Sequence, residues 1–230
     1  MAIVRYLAMT GAEFWGCTQY PPHIGWLACH FSPSGAGLSN IPRVLPRDSL
    51  LLVDDSLPFS DHNPELISNQ LQQATDNLGL YAIVLDFQRS HGPLLQSLTE
   101  LLQRKLPCPV FAPPGYTQTG PVFLPPCPLH TPADIYLKPY QGQQILLDTT
   151  PLSTIIKVTP EKVTYQTISP QPVEKGDHWD CCLYCHYKIA THGDCISFAL
   201  QRNNDAFDKW CAHVESLGVT AMIGLYQEWK

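Results

Sequence analysis

Residues 81–88 read YAIVLDFQ and end on a carboxylate and a carboxamide two positions apart. Side chains alternate between the faces of a strand. Asp86 and Gln88 therefore share a face with Ala82 and Val84, and Ile83, Leu85 and Phe87 share the other. A carboxylate accepts hydrogen bonds and, with a raised pKa, transfers a proton. A carboxamide donates and accepts but has no proton to give near neutral pH. The pair is thus equipped to hold a polar ligand and not to do acid catalysis through Gln88. The run SLLLVDD, 49–55, ends on Asp54 and Asp55, only one of which can share the face of Asp86. Glu228 follows the last apolar run and is the remaining carboxylate able to reach the same place. The competing reading is that such aspartates cap loops and helices, and that Glu228 is a solvated chain end. His30, in CHFSP, is read first as a core histidine with Trp26 and Ala28 on its face, and second as a catalytic one. Tyr116 and Trp229 offer flat faces to a sugar or another flat ligand, and the bland alternative for both is core packing.

The odd count of nine cysteines is consistent with reduced thiols. Cys181, Cys182, Cys185, His186, His192 and Cys195 crowd one stretch and invite a zinc reading. A CxxC pair needs a tight turn to converge its sulfurs. WDCCLYCHYKI has no Gly or Pro and reads as strand, with Cys181 and Cys185 on one face and Cys182 and His186 on the other. The expectation is buried free thiols and no metal. No cysteine has an activating context and no GxSxG elbow occurs. The GAG at 35–37 lacks the spacing of a dinucleotide fingerprint and a helix after it. No cofactor is expected.

Periodicity supplies the elements that must position these groups. Ile67, Leu71, Ala74 and Leu78 make one helical face, with Pro64 at the first position, Asn63 or Asp61 as cap, and Gly79 as the stop. A second helix starts at Pro93, buries Leu95, Leu98 and Leu102, and ends near Arg104 and Lys105. Residues 49–112 thus alternate β-α-β-α-β, the pattern of parallel strands with helical crossovers. From 134 to 200 the chain is β-rich, with a hairpin turning near Pro160 and two strands around Gly193. A last helix carries Phe207, Trp210, Cys211, Val214 and Leu217, and a last strand follows Gly218. Counting strands at 2–8, 24–31, 50–55, 82–88, 109–112, 121–125, 195–200 and 220–226 gives eight. The expected fold is α/β: a reduced (β/α)8 barrel of the TIM type, one domain over 1–230, with a β-rich excursion at about 134–194. The alternative is an open doubly wound sheet plus a β-rich part.

Hydrophobic residues make up 44% and charged residues 15% of the 230, which suits a globular chain with a sizeable core. Net charge is −6, and the 14 Lys and Arg are scattered rather than striped. That composition argues against nucleic-acid and membrane-surface partners. No apolar run nears a membrane span. The first residues, MAIVRYLAMTGAEFW, make a poor secretory signal, so the expected location is cytoplasmic. The oligomeric state is left open.

On the eight-strand count, YAIVLDFQ is strand four. There the chain resembles the chitinase family of glycoside hydrolases, family 18, whose strand four carries DxxDxDxE after a helix and a glycine turn. Tyr81, Val84, Asp86 and Gln88 hold the matching positions, so one aspartate of three is present and the acid is an amide. Those barrels also end on a strand followed by an inward Trp, and here Trp229 follows GLYQE. The resemblance covers about thirty residues plus the topology. It implies that a substrate's own N-acetyl oxygen attacks the anomeric carbon, that Asp86 orients the acetamido group, and that Gln88 stands where the proton donor belongs. The expected function is a glycoside-hydrolase-like barrel that binds a glycan or similar polar ligand without hydrolysis, with His30, Asp54, Asp55, Asp86, Gln88, Tyr116, Glu228 and Trp229 around the mouth. One alternative is an active hydrolase in which Asp86 works with another carboxylate, such as Glu228, as acid. The other is a non-catalytic scaffold.

Overall fold

The structure is a computed structural model and describes residues 3–33, 37–56, 62–88 and 92–228. Asp61, Trp229 and most of the GAG loop lie outside the described residues. The chain divides into two compact units, Met1–Pro125 with Gly142–Asp148 and Thr220–Lys230, and Pro126–Gln141 with Thr149–Val219.

The first unit carries β1 (Val4–Met9), α1 (Gly11–Gly16), β2 (Ile24–Phe31), β3 (Leu38–Ser39), β4 (Leu50–Asp54), α2 (Pro64–Leu78), β5 (Ala82–Asp86), α3 (Pro93–Lys105), β6 (Val110–Phe111), β7 (Val122–Leu124) and β8 (Ile145–Asp148). It also takes the last strand, β14 (Val219–Leu225). Eight strands run in the order β6-β5-β4-β2-β1-β14-β8-β7, with β3 hairpinned onto β2. A parallel bridge from Ala112 to Val122 joins the two ends of that order, so the sheet closes into a parallel barrel. An open doubly wound sheet would leave those ends apart.

Alternation sorts the strand residues into two cores. Tyr6, Ala8, Leu50, Leu52, Ala82, Val84, Phe111, Phe123, Leu146, Ala221 and Ile223 fill the barrel interior. Leu51, Val53, Ile83 and Leu85 point outward to Ile67 and Leu71 of α2 and to Leu95, Leu98 and Leu102 of α3. Gly25 sits where a side chain would crowd the barrel interior. A Cβ there would lie 3.0 Å from Ile223 Cδ1 and 3.1 Å from Leu52 Cδ1. Both helices run over the expected residues. Asn63 caps α2 by accepting from the N–H groups of Glu65 and Leu66, and Gly79 ends it in the left-handed region at φ 63°.

The second unit carries α4 (Ala133–Leu137), β9 (Ser153–Val158), β10 (Val163–Ile168), β11 (His178–Asp180), β12 (Cys185–His192), β13 (Cys195–Gln201) and α5 (Asn204–Ser216). Its strands form one sheet in the order β10-β9-β13-β12-β11. All of its pairings are antiparallel.

One barrel strand differs from the expected count. Residues 195–200 belong to β13, antiparallel to β9 and β12, and the barrel takes β8 instead. The strand ILLD is four residues long and shows no alternation, because Ile145, Leu146 and Leu147 are all at most 1% exposed. β13, CISFALQ, alternates apolar with small or polar residues in sequence, so it reads more clearly as a strand.

Candidate active site at the barrel mouth

The candidate groups collect at the C-terminal ends of β2, β4 and β5. His30 is the register partner of Asp54, and Asp54 of Asp86, so the three form one row across neighbouring strands. His30 Nδ1 lies 2.7 Å from Asp54 Oδ2. The other oxygen of Asp54 accepts from Ser56 N–H at 2.8 Å. Gln88 donates its side-chain amide to both oxygens of Asp86, at 2.9 and 3.1 Å. Its backbone N–H donates to Asp55 Oδ1 at 2.9 Å.

His30 reaches this row through an irregularity. The β2–β4 register shifts between Trp26 and Cys29. Strict alternation would group His30 with Trp26 and Ala28, as expected from the sequence. The structure corrects this: Trp26, Ala28, Cys29 and Phe31 all pack in the outer core, and His30 continues the inward face beside Asp54. A bulge inserts one residue and flips the parity beyond it.

Burial pushes the Asp86 carboxyl above the usual range. The Gln88 amide pulls it back, and the charges of Asp54, Asp148 and Asp55 push it up again. Asp148 ends β8 and was absent from the sequence-derived set. The signal for it was present: LLLVD, AIVLD and ILLD are three buried strands that each end on aspartate. Glu228 lies in the 3-10 turn Tyr226–Glu228 after β14. Desolvation, and then the charge of Asp148, raise its carboxyl, against a backbone hydrogen bond at Leu225.

The remaining predicted residues sit elsewhere. Asp55 has the opposite parity to Asp54 and is buried. Tyr116 is 8% exposed and meets Phe87 edge-on in the outer core, with ring centroids 5.5 Å apart. Trp229 lies outside the described residues. Where the resembled motif has its other aspartates, Tyr81 stacks on Tyr6 and Val84 fills the barrel interior.

No family model matches the sequence, and no curated protein matches it either. Solved structures do resemble it. The spore cortex-lytic enzyme SleL of Bacillus cereus superposes with a TM-score of 0.54 at 8% identity, over 97% of this chain and 70% of that one. SleL of Bacillus megaterium QM B1551 gives 0.52 at 10% identity, over 97% and 70%. A glycoside hydrolase family 18 N-acetylglucosaminidase from Paenibacillus barengoltzii gives 0.55 at 9% identity, over 98% and 95%. These likenesses show the fold: the chain shares the parallel-barrel architecture of those enzymes, with Asp86 and Gln88 at the end of its fourth barrel strand.

The cysteine-rich stretch also departs from its expected form. Residues 181–184 make a tight turn between β11 and β12 rather than continuous strand. Asp180 Oδ1 accepts from the N–H groups of Cys182 and Leu183, and Tyr184 takes the left-handed conformation at φ 51°. The reversal needs no glycine because a side chain caps it. Cys185 is buried while Cys181 and Cys182 are exposed. Among the described residues, no group of three or more His, Cys, Asp or Glu is arranged to hold a metal ion.

Proposed function

We propose that this barrel binds a glycan or a similar polar ligand at its C-terminal mouth and does not hydrolyse it. The observation that carries the reading is the Gln88–Asp86 clasp. Leaving-group departure in a glycosidase needs a proton at the glycosidic oxygen, and a positioned acid contributes about 10²–10⁴-fold. The Gln88 amide keeps the reach of a glutamate and spends its N–H on Asp86. It has no proton to transfer. Asp86 remains able to accept from an acetamido N–H or a hydroxyl, and His30, held by Asp54, presents a second polar contact in the same row. No step through a cofactor enters this reading.

The test uses N-acetylglucosamine oligomers. Calorimetry should show binding, product analysis should show no turnover, and Asp86→Ala should weaken binding roughly tenfold to a hundredfold, the range of a hydrogen bond to a charged group. Binding without dependence on Asp86 would sink the assignment of the site. The raised carboxyl of Glu228 favours one second reading, in which Glu228 supplies the missing proton. Steady turnover abolished by Glu228→Gln and retained in Gln88→Ala would select it. Neither binding nor turnover across a glycan panel would leave the barrel as a scaffold.

A further inference from the structure

The five-stranded sheet of the second unit ends on β10, and no strand among the described residues pairs with its outer side. β10 reads VTYQTI, with no charge and no proline, and residues 163–167 are all exposed. It pairs with β9 from Val163 to Ile168 without a register shift. Natural edge strands are commonly kept short, charged, bulged or broken by proline, because an open edge invites another strand. The opposite edge follows that rule: β11 spans three residues and ends on Asp180. β10 carries none of these devices.

The hairpin fixes which backbone groups of β10 are open. Thr159 N–H donates to the Lys162 carbonyl at 2.9 Å, so that pair is a hydrogen-bonded one. Bonded and non-bonded pairs alternate along an antiparallel ladder. Thr164 and Gln166 therefore point their N–H and C=O groups at β9, and Val163, Tyr165 and Thr167 point theirs outward. The side chains of these last three share one face of the sheet, and the register places Ile189 and Ile196 on the same face. Leu129 packs with Cys185 and Leu200 at one end of that face. At the other end Val163, Tyr165, Ile189 and Ile196 are 42–57% exposed. An open edge and an open apolar surface thus meet at β10. His130 stacks on Tyr165 with ring centroids 4.3 Å apart, which limits the freedom of that exposed ring.

We propose that the edge is completed by β10 of a second copy of this chain, antiparallel about a two-fold axis at Tyr165. Self-complementarity selects this occupant. An axis there sets Tyr165 against its own equivalent and Val163 against Thr167 of the other copy. All of these residues point their backbone outward, so each such pair exchanges both of its N–H···O bonds. Moved one residue either way, the axis would set an outward group against Glu161 in the turn or Ser169 beyond the strand. An axis between residues would oppose outward groups to groups already spent on β9 and turn the apolar face of one copy toward the polar face of the other. A two-fold also brings identical residues together, so a charged strand would repel itself. β10 has no charge to repel. The two five-stranded sheets become one, and the apolar surface of each copy continues into the other.

Sedimentation velocity of the full chain from about 1 to 100 µM tests this. The expected result is a monomer–dimer equilibrium with dimer dominant at the upper end. Tyr165→Pro removes an outward N–H and leaves the ladder to β9 complete. It should weaken dimerisation at least about tenfold, the loss of a hydrogen bond, with the far-UV circular dichroism kept. Two further variants serve if the proline disturbs folding. Tyr165→Lys and Tyr165→Glu should each be monomeric over the same range. An equal mixture of the two should dimerise, because an axis at Tyr165 sets these side chains opposite each other. A native chain monomeric at the highest concentration would overturn the inference and leave the edge to an extended segment of another protein. Assembly beyond the dimer, undiminished dimerisation of folded Tyr165→Pro, or a mixture of the charged variants that stays monomeric would overturn it as well.

Discussion

Asp86 shows what a largely buried carboxylate costs its host. It is held inside a row of acids, and its folded pKa lies above the usual value because burial disfavours the charge and Asp54, Asp148 and Asp55 repel it. The sign of the linkage follows. A group that binds its proton more tightly when folded contributes most below its unfolded pKa of about 4, and that contribution is lost as pH rises through the folded value. Above the ordinary carboxylate range the Asp86 carboxyl therefore counts against the fold. Asp86→Asn should raise stability at pH 7 by about 0.5–2 kcal/mol, the usual gain from relieving such a conflict. The gain should shrink as pH falls below the ordinary carboxylate range. Thermal melts at both pH values check this. A variant less stable than the native chain at pH 7 would mean that the Gln88 clasp outweighs burial and repulsion together. The sequence made Asp86 and Gln88 readable as a pair, because they sit two apart on a strand with clean alternation. It did not make His30 readable as their neighbour, since one bulge in β2 reverses the parity on which such inference rests.

At the scale of elements, the helices were the most legible part. α2 and α3 each carry a full apolar stripe, a proline at the first position and a defined stop, so local and tertiary preferences agree. Leu71 lies at the centre of the α2 stripe and is 0% exposed, while Leu66 on the same helix is 42% exposed. Leu71→Ala should cost about 2–5 kcal/mol, a lost contact plus a cavity against β4 and β5. Leu66→Ala should stay within about 0.5 kcal/mol. Urea denaturation of both variants measures the contrast, and equal losses would contradict the packing described for α2. The illegible elements failed for the opposite reason. β8 is too short and too evenly buried to show a period, and its interior aspartate went unseen with it. The 181–184 reversal hides from a search for Gly or Pro because Asp180 and Arg202 supply the fastening from outside the turn.

Across the whole barrel, closure is uneven, and proline is the reason. The chain has 22 prolines, and Pro109, Pro113, Pro114, Pro121, Pro125 and Pro126 crowd the flanks of β6 and β7. Proline cannot donate to a ladder and confines strands to short lengths. β6 therefore spans two residues and β7 three, whereas β4 and β5 pair over five positions. At the seam, Phe123 N–H donates to Ala112 at 2.8 Å and Ala112 N–H to Pro121 at 3.2 Å. Around the rest of the ring, longer ladders flank the packed interior. Local opening free energy follows the hydrogen bonds and apolar contacts that must break together. Native-state hydrogen exchange should then find the Ala112 and Phe123 amides at least about tenfold less protected than those of Leu52 and Val84, a gap of about 1.4 kcal/mol. The helices α2 and α3 should exchange with the longer ladders, because their buried leucines share one core with β4 and β5. Equal protection at the seam and in the centre would mean that the eight strands open only as a unit, with Phe111 and Phe123 in the barrel interior holding the seam more firmly than its two hydrogen bonds do.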